Sequence, residues 1–358
     1  MDPSPIFEPL LHWYDTHHRD LPWRKTSDPW AIWVSEVMLQ QTQVATVIPY
    51  FHRFIRRFPT PLHLAEADIQ EVLKLWEGLG YYSRARNLHK SAAAVVLLHE
   101  GRVPDDPAAF RSLSGVGDYI AAAVLSIAFG QLMAVVDGNV KRVLARLFEL
   151  DMAVNRPGSH KFFQAYADRI LCPTRPGDFN QAMMELGALI CRPKSPECRV
   201  CPLEKNCVSR AHQTTADFPK REGTKKIPHR HLVIAVILKG NTLLVVQRPL
   251  DGFLGGLWEC PAIPGTESTP VPDEIESAMK KAVGLTIRVD RSLSQVRHVY
   301  THFSLSADVY VCRYVKGRVR LRDAIAHQWV TLRKLAQLPV HRAQQKFFPA
   351  LAEALDSD

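Results

Sequence analysis

The amino terminus, MDPSPIFEPL, lacks the charged-then-apolar pattern of a secretory leader, so no export signal is expected. Nor is any apolar run clean enough to cross a bilayer. The most apolar window, Tyr119 to Val136, is broken by Ser126, Gly130 and Gln131 and bracketed by acids. It reads as a buried core helix that stops at Gly130. Acidic residues are in deficit, 36 Asp and Glu against 45 Lys and Arg, and the resulting net charge of +9 suits a polyanionic partner without proving one. Cysteines number only 7 in 358 residues, yet four are clustered. Without an export signal that clustering favours metal binding over disulfides. The length itself is sufficient for two domains with full cores.

The chain is organised around Leu113 to Asn139, LSGVGDYIAAAVLSIAFGQLMAVVDGN. Gly115 and Gly117 permit a tight turn and let a ligand approach bare backbone. Ile120, Ala123, Val124 and Ile127 then recur at helical spacing. A glycine turn feeding a helix N-terminus presents N–H groups to a phosphate, although the same motif alone is equally a plain turn between packed helices. Asp137 follows the apolar Ala134-Val135-Val136, so its carboxylate emerges from a core. Asn139 is the expected cap of the next helix, whose apolar face is Val140, Val143, Leu144 and Leu147; a capping acid is the alternative role for Asp137.

Upstream, residues 6–14 read as a short amphipathic helix, and Asp28-Pro29 is a helix start of capping acid and proline. The helix it opens carries Glu36 among Trp33, Val37 and Met38, and a carboxyl in such surroundings can hold a proton near neutral pH. The amides Gln40, Gln41 and Gln43 are either an exposed helix end or groups aimed at base edges. Residues 83–111 add helices with a basic face of Arg84, Arg86, His89 and Lys90. Cys191, Cys198, Cys201 and Cys207 form C-x6-C-x2-C-x5-C, a strong metal signal that spacing alone leaves open between zinc and an iron–sulfur cluster. Cys172, Cys260 and Cys312 read as small buried hydrophobes. The polar, basic stretch 209–230, with one glycine and two prolines, reads as an interdomain linker but not as a flexible tether. Beyond it the periodicity becomes that of strands: HLVIAVIL, a Gly240-Asn241 turn and TLLVVQR signal a hairpin. Alternation through Phe303, Leu305, Ala307, Val309 and Val311, with a helix near 272–283, completes a mixed α/β domain.

The hairpin, SEVMLQQTQVATVIPYF, GLGYYSRARNLH, VVDGNVKRVLARL and NQAMMELGALIC together resemble the adenine DNA glycosylases of the MutY type, within the helix-hairpin-helix base-excision superfamily, over the whole chain. The resemblance implies an all-α helix-hairpin-helix glycosylase domain over 1–208, with the hairpin at about 113–128 and an iron–sulfur loop at 191–207. It places a Nudix-like, mixed α/β lesion-recognition domain at 231–358. It implies Glu36 as general acid, Asp137 as stabiliser of the sugar cation, and Gly115 and Gly117 gripping the DNA backbone. Leu39, Gln41 and Tyr82 would intrude into the base stack, while Arg24, Tyr119, Asn139 and Glu185 would line the adenine pocket. The cysteine spacing is the family's for a [4Fe-4S] cluster, with Arg192, Lys194, Arg199 and Lys205 making the loop basic. FLGGLWECPAIP resembles the Nudix-like domain, yet DEIESAMKKAVGL lacks the glutamate cage of a diphosphate hydrolase, which implies recognition without hydrolysis. The family's Phe-Ser-His reader becomes Tyr300-Thr301-His302, in which Thr301 keeps a hydroxyl. Ser114 replaces the hairpin's usual proline, and Asp118 is an unexpected acid beside a phosphate grip.

The implied reaction is excision of adenine mispaired with 8-oxoguanine or guanine in double-stranded DNA. The base flips out, is protonated, and leaves a sugar cation beside a carboxylate. The expected enzyme is a monomer in a bacterial cytoplasm, associated with the nucleoid. Three other readings fit the sequence less well. A bifunctional endonuclease-III-like glycosylase and lyase would place a lysine where this chain has Tyr119. A non-enzymatic iron–sulfur DNA-binding protein would leave Glu36 and Asp137 unexplained, and a Nudix nucleotide hydrolase would need the missing cage.

Overall fold

The computed structural model describes residues 4–223, 227–266 and 271–356. The chain forms two compact units, Met1–Glu66 with Lys90–Thr224, and Ala67–His89 with Lys225–Asp358.

The first unit is helical. Its innermost helix, Pro29–Leu39, starts where the sequence predicts: Asp28 accepts a hydrogen bond from the Trp30 amide and Pro29 fills the first turn. Every residue from Trp30 to Met38 is buried, so the helix is apolar all round and Glu36 is carried into the core with it. It packs on Asp118–Phe129, the apolar helix of the central stretch, which ends at the left-handed Gly130. Helix Gly138–Leu147 packs on Pro176–Leu189. At that crossing a Cβ on Gly187 would stand 2.6 Å from the Asn139 Cβ, so only glycine permits the approach. Among the described residues no helix is long and apolar enough to cross a membrane.

The expected linker is not free over its described first part. Ser209 and Phe218 are buried, and the Arg146 Nε donates to the carbonyls of Thr215 (3.0 Å) and Phe218 (2.9 Å). The amide of Val154 donates to the Lys220 carbonyl at 3.0 Å. Polar composition misled here because a buried guanidinium consumes the segment's backbone carbonyls. Residues 224–226 lie outside the described set.

The second unit is built on a mixed sheet of β1 (His229–Lys239), β2 (Thr242–Gln247), β3 (Trp258–Glu259), β4 (Ala262–Pro264), β5 (Leu285–Val299), β6 (Ser304–Gly317) and β7 (Ala326–Val330). The predicted β1–β2 hairpin is present, with Leu238 opposite Leu243, and β1 runs parallel to β6. The strand order is β3-β2-β1-β6-β5, with β4 on β1 and β7 on β2. One face, including Val233, Ala235 and Ile237, is covered by Ile275, Met279 and Val283 of helix Pro272–Val283. Ile234, Val236 and Val245 belong to the other core, with Ala343, Phe347 and Leu351. The acids of helix Pro272–Val283 are engaged locally: Glu276 accepts from the Val289 amide at 2.9 Å.

Segment 67–89 joins this unit through polar contacts that hydropathy does not reveal. Gln70 donates to the Gly256 carbonyl (3.1 Å) and accepts from the Trp258 indole (2.8 Å). Glu77 accepts from the Val340 amide at 2.8 Å, and Arg86 donates to the Gly255 and Gly252 carbonyls at 2.8 and 3.0 Å. Arg84, expected on a basic face open to solvent or to DNA, is instead buried and donates to the Gly80 carbonyl at 3.1 Å.

Candidate functional site

Glu36 is 4% exposed, and its Oε2 accepts a 2.6 Å hydrogen bond from the Tyr119 hydroxyl. Burial pushes the Glu36 carboxyl up to about 7; the Asp137 charge adds to the rise, against the Tyr119 hydrogen bond and Arg24. Tyr119 itself is driven well above its ordinary value by burial and by the charges of Glu36 and Asp137, so its hydroxyl keeps the proton it donates. Helix Pro29–Leu39 supplies the acid, and the first turn of helix Asp118–Phe129 supplies the phenol.

Asp137 is the N-cap of helix Gly138–Leu147, accepting from the Val140 amide at 2.7 Å. The cap expected at Asn139 is therefore corrected to Asp137: Asn139 lies one residue inside the helix. Its side-chain Nδ2 donates to Asp137 Oδ2 at 3.1 Å, and its side-chain Oδ1 accepts from Arg142 at 2.9 Å. Burial raises the Asp137 carboxyl, opposed by the Val140 and Asn139 amides and by Arg142. Two carboxyls are thus gathered in one apolar setting, one bonded by a phenol and one by a helix N-terminus. The two carboxyls therefore sit in different hydrogen-bonding environments, the physical ground for different acid strengths.

Glu185, expected to line a base pocket, is 1% exposed with both oxygens occupied. Arg24 donates to Oε1 and Oε2 at 3.0 Å each, and Arg19 donates to them at 2.9 and 2.6 Å. Burial alone would raise Glu185, but the two guanidiniums hold it down to about 2. Glu185 therefore fixes Arg24 rather than offering free lone pairs. The Arg24 Nε is buried without a hydrogen-bond partner among the described residues.

At the hairpin, Gly115 is exposed at φ +78°, where a side chain would be strained, and Gly117 is the extended N-cap of helix Asp118–Phe129 with no side-chain cap on its amides. Asp118 lies 3.5 Å from Arg111, which gives it a cationic neighbour, and 3.9 Å from the His160 ring. Leu39 ends its helix half-buried, and Gln41 is exposed at φ +56° in the turn that follows. Tyr82 is corrected: it is 5% exposed, and its hydroxyl accepts from the Gly78 amide, so its ring is core and not a wedge. The exposed tyrosine of the pair is Tyr81, 37% exposed, whose hydroxyl bonds the Thr301 hydroxyl.

Thr301 and His302 are exposed at the turn between β5 and β6. They border a cleft of about 370 Å³ lined also by Gly78–Ser83, Gly252–Leu254 and His341.

Cys191, Cys198, Cys201 and Cys207 are half-buried and face one cavity, beside Arg146 and Arg210. Burial, and then the charges of Cys191, Cys207 and Cys198, push the Cys201 thiol up to about 12; the Leu203 amide opposes this. Thiols crowded in this way ionise readily only when a cationic group neutralises them. Arg146 donates to Cys191 Sγ at 3.4 Å. The donor set thus fits a soft, thiolate-bound metal group, although among the described residues no three His, Cys, Asp or Glu side chains are placed to hold a single ion. Cys172, Cys260 and Cys312 are buried thiols, as the sequence indicates.

Two residues that sequence reasoning overlooked join these features. Arg142 donates to the carbonyls of Cys191 (2.8 Å) and Gly187 (2.7 Å) while holding Asn139, and Arg146 donates to those of Arg192 (2.7 Å) and Pro193 (3.1 Å). Their signal was present, since residues four apart share a helix face.

Residues 34–162 match the family described as HhH-GPD superfamily base excision DNA repair protein, and residues 233–350 match that of a NUDIX domain. A thermostable thymine-DNA glycosylase of known structure superposes with a TM-score of 0.55 at 31% identity, over 59% of this chain and 97% of its own. Adenine DNA glycosylase of Rattus norvegicus is 34% identical over 96% of this chain and 77% of its own length. That of Homo sapiens is 35% identical over 95% of this chain and 72% of its own length. A likeness that runs through both domains at this identity leaves one conclusion: the chain belongs to the adenine DNA glycosylases of base excision repair.

Proposed function

We propose that this protein excises adenine paired with 8-oxoguanine or guanine from duplex DNA, without cleaving the strand. The observation that carries the chemistry is Glu36, buried, bonded by Tyr119 and raised to about 7, with the Asp137 charge acting on it. Adenine is a poor anionic leaving group, and a proton on a ring nitrogen makes it neutral. Glu36 supplies that proton. Asp137, held by the Val140 amide and Asn139, stabilises the oxocarbenium-like sugar left behind. The target atom is hidden in a stacked duplex, so the nucleotide must flip. Gly115, Gly117 and the uncapped amides of the helix start suit the backbone grip. Leu39, Gln41 and Tyr81 are the exposed or half-exposed wedges, and the unpartnered Arg24 Nε is a donor for the flipped base.

A [4Fe-4S] cluster on the four cysteines is part of this reading. It would supply a rigid scaffold for the loop of Arg192, Lys194, Arg199 and Lys205, not a chemical step. Purified protein is then expected to be yellow-brown, with about four irons and four acid-labile sulfides per chain. Stoichiometric zinc without sulfide in anaerobic preparations would contradict it.

The partner base is assigned to Thr301 and His302, on their exposure at one rim of the cleft. Excision should be measured on A:8-oxoG, A:G and A:T duplexes at one salt concentration, since phosphate contacts make affinity salt-dependent. Adenine release with an intact strand is expected, with the 8-oxoguanine mispair preferred. Thr301→Ala with His302→Ala should reduce that preference by about 1–3 kcal/mol, whereas Thr242→Ala should not. Efficient borohydride trapping would indicate an amine nucleophile and overturn the monofunctional assignment; position 119 offers a phenol instead.

A further inference from the structure

The reading loop is exposed at its tip and pinned at its stem. Tyr300, the residue before Thr301, has its ring packed edge-on to His298 (centroids 4.4 Å apart) and Phe253 (5.0 Å), and tilted against Phe303 (5.0 Å). Its amide closes the turn on the Phe303 carbonyl at 2.9 Å. The Tyr300 hydroxyl, however, points to His341, 3.4 Å from Nδ1. The other ring nitrogen of His341 lies 3.1 Å from Glu259 Oε2, and Glu259 Oε1 accepts from Arg248 at 2.8 Å. Arg248 in turn donates through Nε to the carbonyl of Phe253, one of the residues packed on Tyr300, at 3.1 Å. The chain of bonds therefore runs from the Tyr300 hydroxyl to Phe253, whose ring packs on Tyr300. His341 is only 6% exposed, which makes it an unusual residue to bury without a purpose.

We propose that His341, oriented by Glu259 and Arg248, is a positioning residue that fixes Tyr300 and thereby sets the Thr301–His302 tip for discrimination between 8-oxoguanine and guanine. The inference rests on the assignment of Thr301 and His302 as reader. In the tautomer that donates Nε2–H to Glu259, Nδ1 is left to accept from Tyr300. Burial, and then the Glu259 charge, raise the Tyr300 phenol, so it retains the proton this requires. Burial alone would also raise Glu259, but its hydrogen bond to His341, with Arg248 beside it, brings it below the usual carboxylate range. The two-residue tip has no hydrogen-bonded ladder of its own; beyond the bond between the Tyr81 and Thr301 hydroxyls, its placement is set by this stem.

The test compares single-turnover excision opposite 8-oxoguanine and opposite guanine in the full-length protein. Tyr300→Phe removes only the hydroxyl, and His341→Leu removes the acceptor. Each should reduce the ratio of the two rates about three- to tenfold, and the double variant should fall no further, because both break one interaction. His341→Gln, whose amide can donate to Glu259 and accept from Tyr300, should retain most of the ratio. An unchanged ratio in Tyr300→Phe, a parallel fall of both rates, or additive losses would each overturn the proposal. Thr301→Ala with His302→Ala separates the two levels. If that variant loses discrimination while Tyr300→Phe and His341→Leu keep it, the positioning network alone is wrong. If it too keeps discrimination, the reader assignment fails and the network falls with it.

Discussion

Glu36→Gln is expected to lower single-turnover adenine excision by about a thousandfold or more, while duplex affinity changes only severalfold. The amide matches the carboxyl in size and can still accept from Tyr119, but it has no proton to transfer, so the loss falls on the transition state. Wild-type rates should carry the same signature in pH. A carboxyl raised to about 7 is protonated below that value, so the rate should decline as pH rises through about 7 and approach tenfold per unit beyond it. Stability has the same sign. The native state binds the proton more tightly than the unfolded chain between 4.5 and about 7, so native stability is lost as pH rises through that window. Glu36→Gln should recover on the order of 1–3 kcal/mol in urea melts at pH 9 relative to pH 5. Excision within tenfold of wild type in a folded Glu36→Gln protein would remove Glu36 from the role of acid.

Asp137→Asn should reduce excision by a comparable factor with almost no change in melting behaviour. Asparagine caps helices about as well as aspartate, so the bond to the Val140 amide survives and the variant removes the negative charge together with the acceptor for the Asn139 amide. Asp137→Ala should lose the cap as well, at about 1 kcal/mol. If Asp137→Asn stayed active and only Asp137→Ala suffered, the carboxylate would be a helix cap and nothing more. Burial also places the Asp137 carboxyl above its usual range, so the acidic limb of the rate profile should belong to it and the alkaline limb to Glu36. A profile without an alkaline limb in the wild type would contradict this division.

The sequence by itself determined the two-domain architecture, the helix of Glu36, the stop at Gly130 and the β1–β2 hairpin. Each depends on neighbours in the chain: Asp28 before Pro29, glycine at a left-handed cap, alternation across a Gly-Asn turn. It also placed four cysteines on one loop, because ligand spacing is a local property. Only the tertiary structure decided what those residues meet. Which tyrosine of the pair is exposed depends on packing, and adjacent positions carry no sign of it: Tyr82 went to the core and Tyr81 to the surface. The bonds of Glu185 to Arg19 and Arg24 span 166 and 161 residues, and that from Glu259 to His341 spans 82. Segment 67–89 joined the second unit through single side-chain bonds to backbone carbonyls, a chemistry that hydropathy does not register. Caps, turns and apolar periodicity are settled within a few residues. Burial of a charge is settled by whatever distant partner satisfies it, and that partner is known only once the chain has folded.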